Sequence, residues 1–244
     1  FDTPRRTAIE EEDVSMRSIN QRDLVAKETV AVAVTRDGYI KRSSLASWRS
    51  SGGANGELPG LKNGDTLIFD GQCDTTDWLL VFTSKGNFLY IPVHLIKANK
   101  WNDEGIHVNY AISLPAEEKL IRAFAVRKFR DDLFIALVSK KGQIKRTKLS
   151  SFQVSRFNRP IRAMRLLGDD EVVEAVLTSG NSDLMIFSDT GLASFYNENE
   201  IAYSSTNSAG VKAASFRGGL VAGMLSFLPD ENDKLLLVTQ LGNT

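Results

Sequence analysis

The sequence predicts an all-β fold, a propeller-like array of about four-stranded blades set around an axis. Three observations predict it. Five segments share one form, a second turn recurs about half a period after each of the first four, and helical periodicity is weak everywhere outside residues 10–28.

The shared form is an apolar run, a Ser or Thr, two residues and a Gly. It reads Val30-Ala-Val-Ala-Val-Thr35-Arg-Asp-Gly38 in the first unit, and recurs at Leu79 to Gly86, Phe134 to Gly142, Leu184 to Gly191 and Leu235 to Gly242. The glycines fall 48, 56, 49 and 51 residues apart, with the hydroxyl three residues before each. Runs this short, built from Val, Ile, Leu and Phe and bounded by turn residues, suit buried strands. Ser/Thr-x-x-Gly fits a type I turn closing on a left-handed glycine. The second turns are Asn63-Gly64-Asp65, Ala116-Glu117-Glu118, Gly168-Asp169-Asp170 and Arg217-Gly218-Gly219. Strand-like runs follow them: Thr66 to Phe69, Leu120 to Val126, Glu171 to Leu177 and Leu220 to Leu225. The expected layout is a lead-in over residues 1–28 and one β domain over 29–244, its hairpins centred on Gly38, Gly86, Gly142, Gly191 and Gly242. The start at Phe1 without a methionine, and the stop at Thr244 just inside a fifth hairpin, predict a longer native protein.

Composition excludes several classes. Of 244 residues, 42% are hydrophobic and 25% charged, as in ordinary globular chains. The longest apolar run, Leu133 to Val138, falls far short of the ~20 residues of a membrane helix. Cys73 is alone, which rules out an internal disulfide and suits a reducing compartment. With only His94 and His107 beside it, no structural zinc site is expected. The motifs Gly-x-Ser-x-Gly, Gly-x-x-x-x-Gly-Lys and Gly-x-Gly-x-x-Gly are missing. Asp169-Asp170-Glu171 and the pair Asp74 and Asp77 read as solvated turn acids rather than a cation site. No catalytic residue and no metal site is expected in this chain.

Charge carries the functional signal. Lys+Arg and Asp+Glu both total 30, yet residues 127–165 hold twelve Lys/Arg against two acids, and residues 166–201 hold eight acids with no Lys or Arg. Such blocks predict a basic flank beside an acidic one. Two units share a basic second strand, Gly38-Tyr-Ile-Lys41-Arg42-Ser-Ser-Leu45-Ala-Ser-Trp48 and Gly142-Gln-Ile-Lys145-Arg146-Thr-Lys148-Leu149-Ser-Ser-Phe152. Neighbours on a strand face opposite ways, so at most one of each Lys-Arg pair meets the core, its charge snorkelling out. Units two and four carry Leu89-Tyr90 and Ser194-Phe195 instead, so the fold is not expected to need the charges. Arg36, Lys41, Arg42, Lys85, Lys140, Lys141, Lys145, Arg146, Lys148, Arg156, Arg159 and Arg162 are therefore the candidate phosphate contacts. The acidic fourth unit is expected to limit the path by repulsion, so that Glu198→Lys with Glu200→Lys would extend it. The rival reading is a protein-interaction scaffold whose basic face takes an acidic partner. A propeller hydrolase would need converging polar residues that this chain lacks.

Thr35-Arg-Asp-Gly-Tyr-Ile-Lys-Arg42, Phe82-Thr-Ser-Lys-Gly86 and the opening Arg5-Arg-Thr-Ala-Ile-Glu10 resemble the C-terminal domain of the bacterial type II topoisomerase A subunits, gyrase and topoisomerase IV. The resemblance spans the whole chain. It implies a β-pinwheel whose blades exchange strands, truncated here at the fifth repeat, and an activity of binding and bending duplex DNA around a basic outer rim. It also implies a bacterial cytoplasmic, nucleoid-associated setting without membrane insertion. The implied partners are double-stranded DNA, the remainder of the homodimeric topoisomerase IV A subunit, and the B subunit of the same enzyme. The reactive tyrosine, Mg2+ and ATP would then lie elsewhere in the parent enzyme, so Tyr39, Tyr90, Tyr110, Tyr196 and Tyr203 are not its nucleophile. Gyrase carries a Gln-Arg-Arg-Gly-Gly-Lys-Gly box in its first blade. The matching stretch here is Arg49-Ser-Ser-Gly-Gly-Ala-Asn-Gly56, without the second arginine and the lysine. The sequence thus resembles the topoisomerase IV branch, whose implied role is unlinking replicated chromosomes and relaxing supercoils, and the degenerate loop is expected to be a flexible connection.

Overall fold

A computed structural model describes residues 24–155, 157–213 and 215–228. The first unit forms β1 (Thr29–Thr35), β2 (Tyr39–Ser44), the helix α1 (Leu45–Ser50) and β3 (Leu67–Asp74). The second forms β4 (Trp78–Thr83), β5 (Asn87–Pro92), β6 (Ile106–His107) and β7 (Leu120–Val126). The third forms β8 (Phe134–Ser139), β9 (Gln143–Lys148), β10 (Ile161–Arg162) and β11 (Val172–Thr178). The fourth forms β12 (Asp183–Ser188), β13 (Ala193–Asn197), β14 (Val211–Lys212) and β15 (Val221–Phe227). The hairpin around Gly242, the lead-in up to residue 23 and Arg156 lie outside the described residues.

The repeated hydroxyl explains itself in the turn. Thr35, Thr83, Ser139 and Ser188 each accept, through the side-chain oxygen, the amide of the residue just past the turn glycine, at 3.0, 3.3, 3.0 and 3.0 Å. The glycines then take φ of 104, 74, 85 and 79°, a region costly for any residue with a Cβ. Gly86 is held twice over, because a Cβ there would stand 2.5 Å from the Met164 carbonyl oxygen, while Gly191 faces open space. Gly86→Ala should therefore cost more than the ~1–2 kcal/mol of a left-handed backbone alone. Gly191→Ala should cost only that. Urea midpoints of the two variants separate the clash from the backbone effect.

The sheets run β3-β1-β2-β6, β10-β5-β4-β7, β11-β8-β9-β14 and, among described residues, β13-β12-β15. In the first three, the last-joined strand comes from the following unit: β6 joins blade one, β10 blade two and β14 blade three. This is strand exchange. The second strands end sooner than the sequence suggests. They stop at Ser44, Pro92, Lys148 and Asn197, and each continues as a short helical turn.

At the other sheet edge β3, β7, β11 and β15 lie side by side, so the blades converge there. Both faces of the central strands are consequently covered. Leu79 and Val81 pack with Val30, Val32 and Val34 of blade one. Leu80 and Phe82 pack with Ile135 and Leu137 of blade three. Ala136 and Val138 pack with Leu184 and Ile186 of blade four. Burial on two sides is why these strands read as unbroken apolar runs. Backbone bonds set the spacing between blades: the amides of Leu120, Val172 and Val221 donate to the turn carbonyls of Arg36, Ser84 and Lys140 at 3.0, 2.8 and 2.9 Å.

Candidate nucleic-acid interface

Exchange requires the chain to cross from one blade to the outer edge of the one before. Residues 96–105 cross from blade two to blade one, 153–160 from blade three to blade two, and 201–210 from blade four to blade three. The first crossover exposes Lys97 and Lys100. The second exposes Arg159, with Arg162 on β10 and Arg165 just beyond it. The third bears no charge but delivers exposed Lys212 on β14. Among the described residues none of these six cations forms an ion pair.

The exchanged strands place a basic type at one register. His107, Arg162 and Lys212 lie opposite Tyr39, Asn87 and Gln143, each the first residue after a turn glycine. His107 is spoken for: Nδ1 accepts the Asn109 amide at 3.1 Å and Nε2 meets the Asp37 carbonyl at 2.8 Å. Arg162 and Lys212 project freely on the outermost edge. Sequence reasoning missed Lys97, Lys100 and Lys212. For Lys212 the signal was there, in Gly210-Val-Lys212 matching Gly105-Ile-His107 and Pro160-Ile-Arg162, whereas no motif marks Lys97 and Lys100. Gly105 and Gly210 are required because a Cβ would stand 2.7 and 2.5 Å from the carbonyl oxygens of Ile40 and Ile144, under which the exchanged strand passes.

A second group of cations sits at the hairpin turns. Lys85 pairs with Glu171 of blade three at 2.8 Å, and Lys119 of blade two pairs with Asp37 of blade one at 2.9 Å. Those bonds from Lys85 and Lys119 hold Glu171 and Asp37 below the usual carboxylate range. Lys141 pairs with Asp169. Arg36 and Lys140 are exposed and form no ion pair among the described residues, although both lie in the field of Glu171. Lys148 is half-buried, its ammonium 4.9 Å above the Tyr203 ring.

Three of the expected phosphate contacts are corrected by burial. Lys41 and Lys145 are 2% and 1% exposed, and Arg146 is 6% exposed. Lys41 Nζ donates to the carbonyls of Gly60 at 2.9 Å, Trp101 at 2.5 Å and Asp103. Lys145 Nζ donates to those of Ala163 at 2.5 Å and Thr206 at 2.8 Å. Burial pushes both amines down to about 8. Arg146 bonds Glu198 at 3.1 Å and lies 4.7 Å above the Phe134 ring. Arg42 is half-buried and donates from Nε to the Ile96 carbonyl at 3.1 Å. The fold of blades one and three does use these charges, contrary to the sequence expectation.

Half of the acidic block is paired with cations inside the fold. Asp169, Glu171, Glu174 and Glu198 meet Lys141, Lys85, Arg122 and Arg146, cations of blades two and three. Asp170, Asp189 and Glu200 accept hydrogen bonds from the backbone amides of Lys141, Leu220 and Asn197, and Asp183 accepts one from the Asn197 side-chain amide. Four of the eight carboxylates thus meet cations, and the other four accept bonds from neutral amides and keep their charge. Arg49 to Gly56 is likewise no slack connection. It folds as α1 and a 3-10 turn within blade one, with the Trp48 indole so close over Gly53 that a Cβ there would sit 2.3 Å from it.

Comparison with known proteins agrees with this geometry. A family model described as the DNA gyrase C-terminal domain, beta-propeller, matches residues 77–127 and 134–179. The A subunit of DNA topoisomerase 4 from Bacillus subtilis (strain 168) is 32% identical over 240 residues, covering 98% of this chain and 29% of that protein. Its counterpart from Staphylococcus aureus (strain MRSA252) is 31% identical over 238 residues, again 98% and 29%. A crystal structure of the C-terminal domain of DNA topoisomerase IV superposes with TM-score 0.76 at 33% identity, over 83% of this chain and 62% of that one. The chain belongs to the gyrase A C-terminal domain family. As a family member it spans under a third of the curated relatives' length. A gyrase A C-terminal domain at 20% identity and TM-score 0.58 shares the fold. The pinwheel architecture and the strand exchange that the resemblance implied are both present in this family member.

Proposed function

We propose that this domain binds duplex DNA without sequence preference along the outer edges of blades one to three, as the accessory C-terminal part of a topoisomerase IV A subunit. One observation carries the reading: among the described residues, exposed cations that form no ion pair gather on the crossovers and exchanged strands, with exposed Asp103 and Glu104 beside them only on the first crossover. Ammonium and guanidinium groups spaced along such an arc meet phosphates by counterion release, which positions DNA without reading bases. Bending 20–30 bp around the arc costs on the order of 1–6 kcal/mol, which several such contacts offset. The bent segment would be presented for strand passage in decatenation and supercoil relaxation. Strand cleavage, Mg2+ and ATP we assign to other parts of the larger enzyme and its B subunit, acting in the bacterial cytoplasm. Among the described residues no helix is long and apolar enough to cross a membrane.

Filter binding on linear duplex across salt concentrations tests this. The log–log slope should be steep, and Arg159→Ala with Arg162→Ala should flatten it by about 1.8, at ~0.9 per phosphate contact. A flat slope in the unaltered chain, with tight capture of an acidic protein instead, would favour the interaction scaffold. On supercoiled DNA, gel-shift affinity above that for linear DNA is the expected sign of bending.

A further inference from the structure

We propose that Lys41, Arg42 and Ser43 of β2 are positioning residues, which shape from inside the loop that offers Lys97 and Lys100 to phosphate. The proposal rests on the DNA-binding reading. The loop is tied at nearly every residue that does not point outward. Arg42 Nε holds the Ile96 carbonyl at 3.1 Å, and Arg42 pairs in parallel with Ala98. The Arg42 carbonyl accepts the Asn99 amide at 2.9 Å, and Ser43 Oγ donates to the Asn99 carbonyl at 2.8 Å. Lys41 Nζ takes the carbonyls of Trp101 and Asp103, and stands 5.4 Å from the centre of the buried Trp101 ring. Between those ties only Lys97 and Lys100 project as cations. Ordering them beforehand removes a cost that a loose loop would meet on binding.

Blade three repeats the device. Lys145 holds the Ala163 carbonyl, between Arg162 and Arg165, and the Thr206 carbonyl ahead of Lys212. The Arg146 carbonyl accepts the Ser204 amide at 2.8 Å. Blade two, with Leu89 and Tyr90 at these positions, secures its crossover through rings instead. Phe157 lies 6.0 Å from Trp78 and 6.2 Å from Tyr90. The Lys-Arg pairs are thus tied to the geometry of the loop and not to the number of exposed charges.

The salt slope of DNA binding by the 244-residue chain, taken well below the unfolding temperature, separates the roles. Lys97→Ala with Lys100→Ala should lower the slope by about 1.8. Lys41→Met, which removes a buried group, should lower it comparably, and should add nothing when combined with that pair. Ser43→Ala removes no charge and should move the slope the same way by less, so it decides the matter if the methionine variant does not fold. A wild-type slope in Lys41→Met, or in Ser43→Ala where that variant decides, while the surface pair loses its share, overturns the positioning role and leaves DNA binding standing. A wild-type slope in the surface pair itself overturns phosphate contact by this loop, and the proposal with it.

Discussion

Glu198→Ala is expected to destabilise the domain by about 3–5 kcal/mol, the usual cost of stranding one partner of a buried ion pair. Glu198 is fully buried, and its carboxylate accepts three hydrogen bonds. It accepts from Arg146 Nη1 at 3.1 Å, Thr178 Oγ1 at 2.6 Å and the Ser182 amide at 2.7 Å. Removing it leaves a guanidinium without its carboxylate, and Arg146 Nε already lacks a partner. The carboxylate also joins the β9 side of blade three to the helical turn after β13, so the loss should loosen the seam between blades three and four. Urea unfolding checks this through a lower midpoint at unchanged slope. A loss under about 1 kcal/mol would mean that water or a shifted side chain replaces the carboxylate at little cost. Glu198→Lys, which the charge pattern alone offers as a way to extend a DNA path, should unfold the domain instead. Glu200→Lys, on an exposed side chain, is the variant that tests repulsion.

The scaffold was legible in the sequence because its determinants are local. A hydroxyl three residues before a glycine both predicts the turn and caps it, and the runs beside it are apolar because both faces of the strand are covered. All four second turns fall within the predicted triplets. What stayed hidden depends on distance along the chain. The exchanged strands are two residues long and carry no periodicity; only the tripeptide ending in each basic residue marks them. Alternation could say that Lys41 and Arg42 face opposite ways, but not that the inward face contains three carbonyls brought from 19, 60 and 62 residues away. The charge blocks misled for the same reason. Their members meet across blades, as Arg122 meets Glu174 52 residues on at 2.7 Å, and a one-dimensional tally leaves them unmatched. Exposed, unpaired Lys97 and Lys100 looked ordinary in a stretch of mixed sign.

Lys41→Met is expected to cost about 2–4 kcal/mol at neutral pH, and Lys145→Met roughly half as much, since each buried carbonyl left without a donor loses on the order of 1–3 kcal/mol. Lys41 serves three carbonyls and Lys145 two. Relief of the buried charge works in the opposite direction and keeps the totals below the sum of the lost bonds. The balance shifts with pH in a calculable sense. Burial lowers both lysines from 10.5 to about 8 in the folded chain. Between those values the unfolded chain binds more protons than the folded one, so stability must rise with pH across that window. A neutral amine still donates two hydrogen bonds, so deprotonation keeps most of what methionine would remove. The deficit of Lys41→Met should therefore be larger at pH 9.5 than at pH 7. Urea midpoints at the two pH values read this directly. An equal deficit would show that the ammonium keeps its proton, held by the Gly60, Trp101 and Asp103 carbonyls against the penalty of burial.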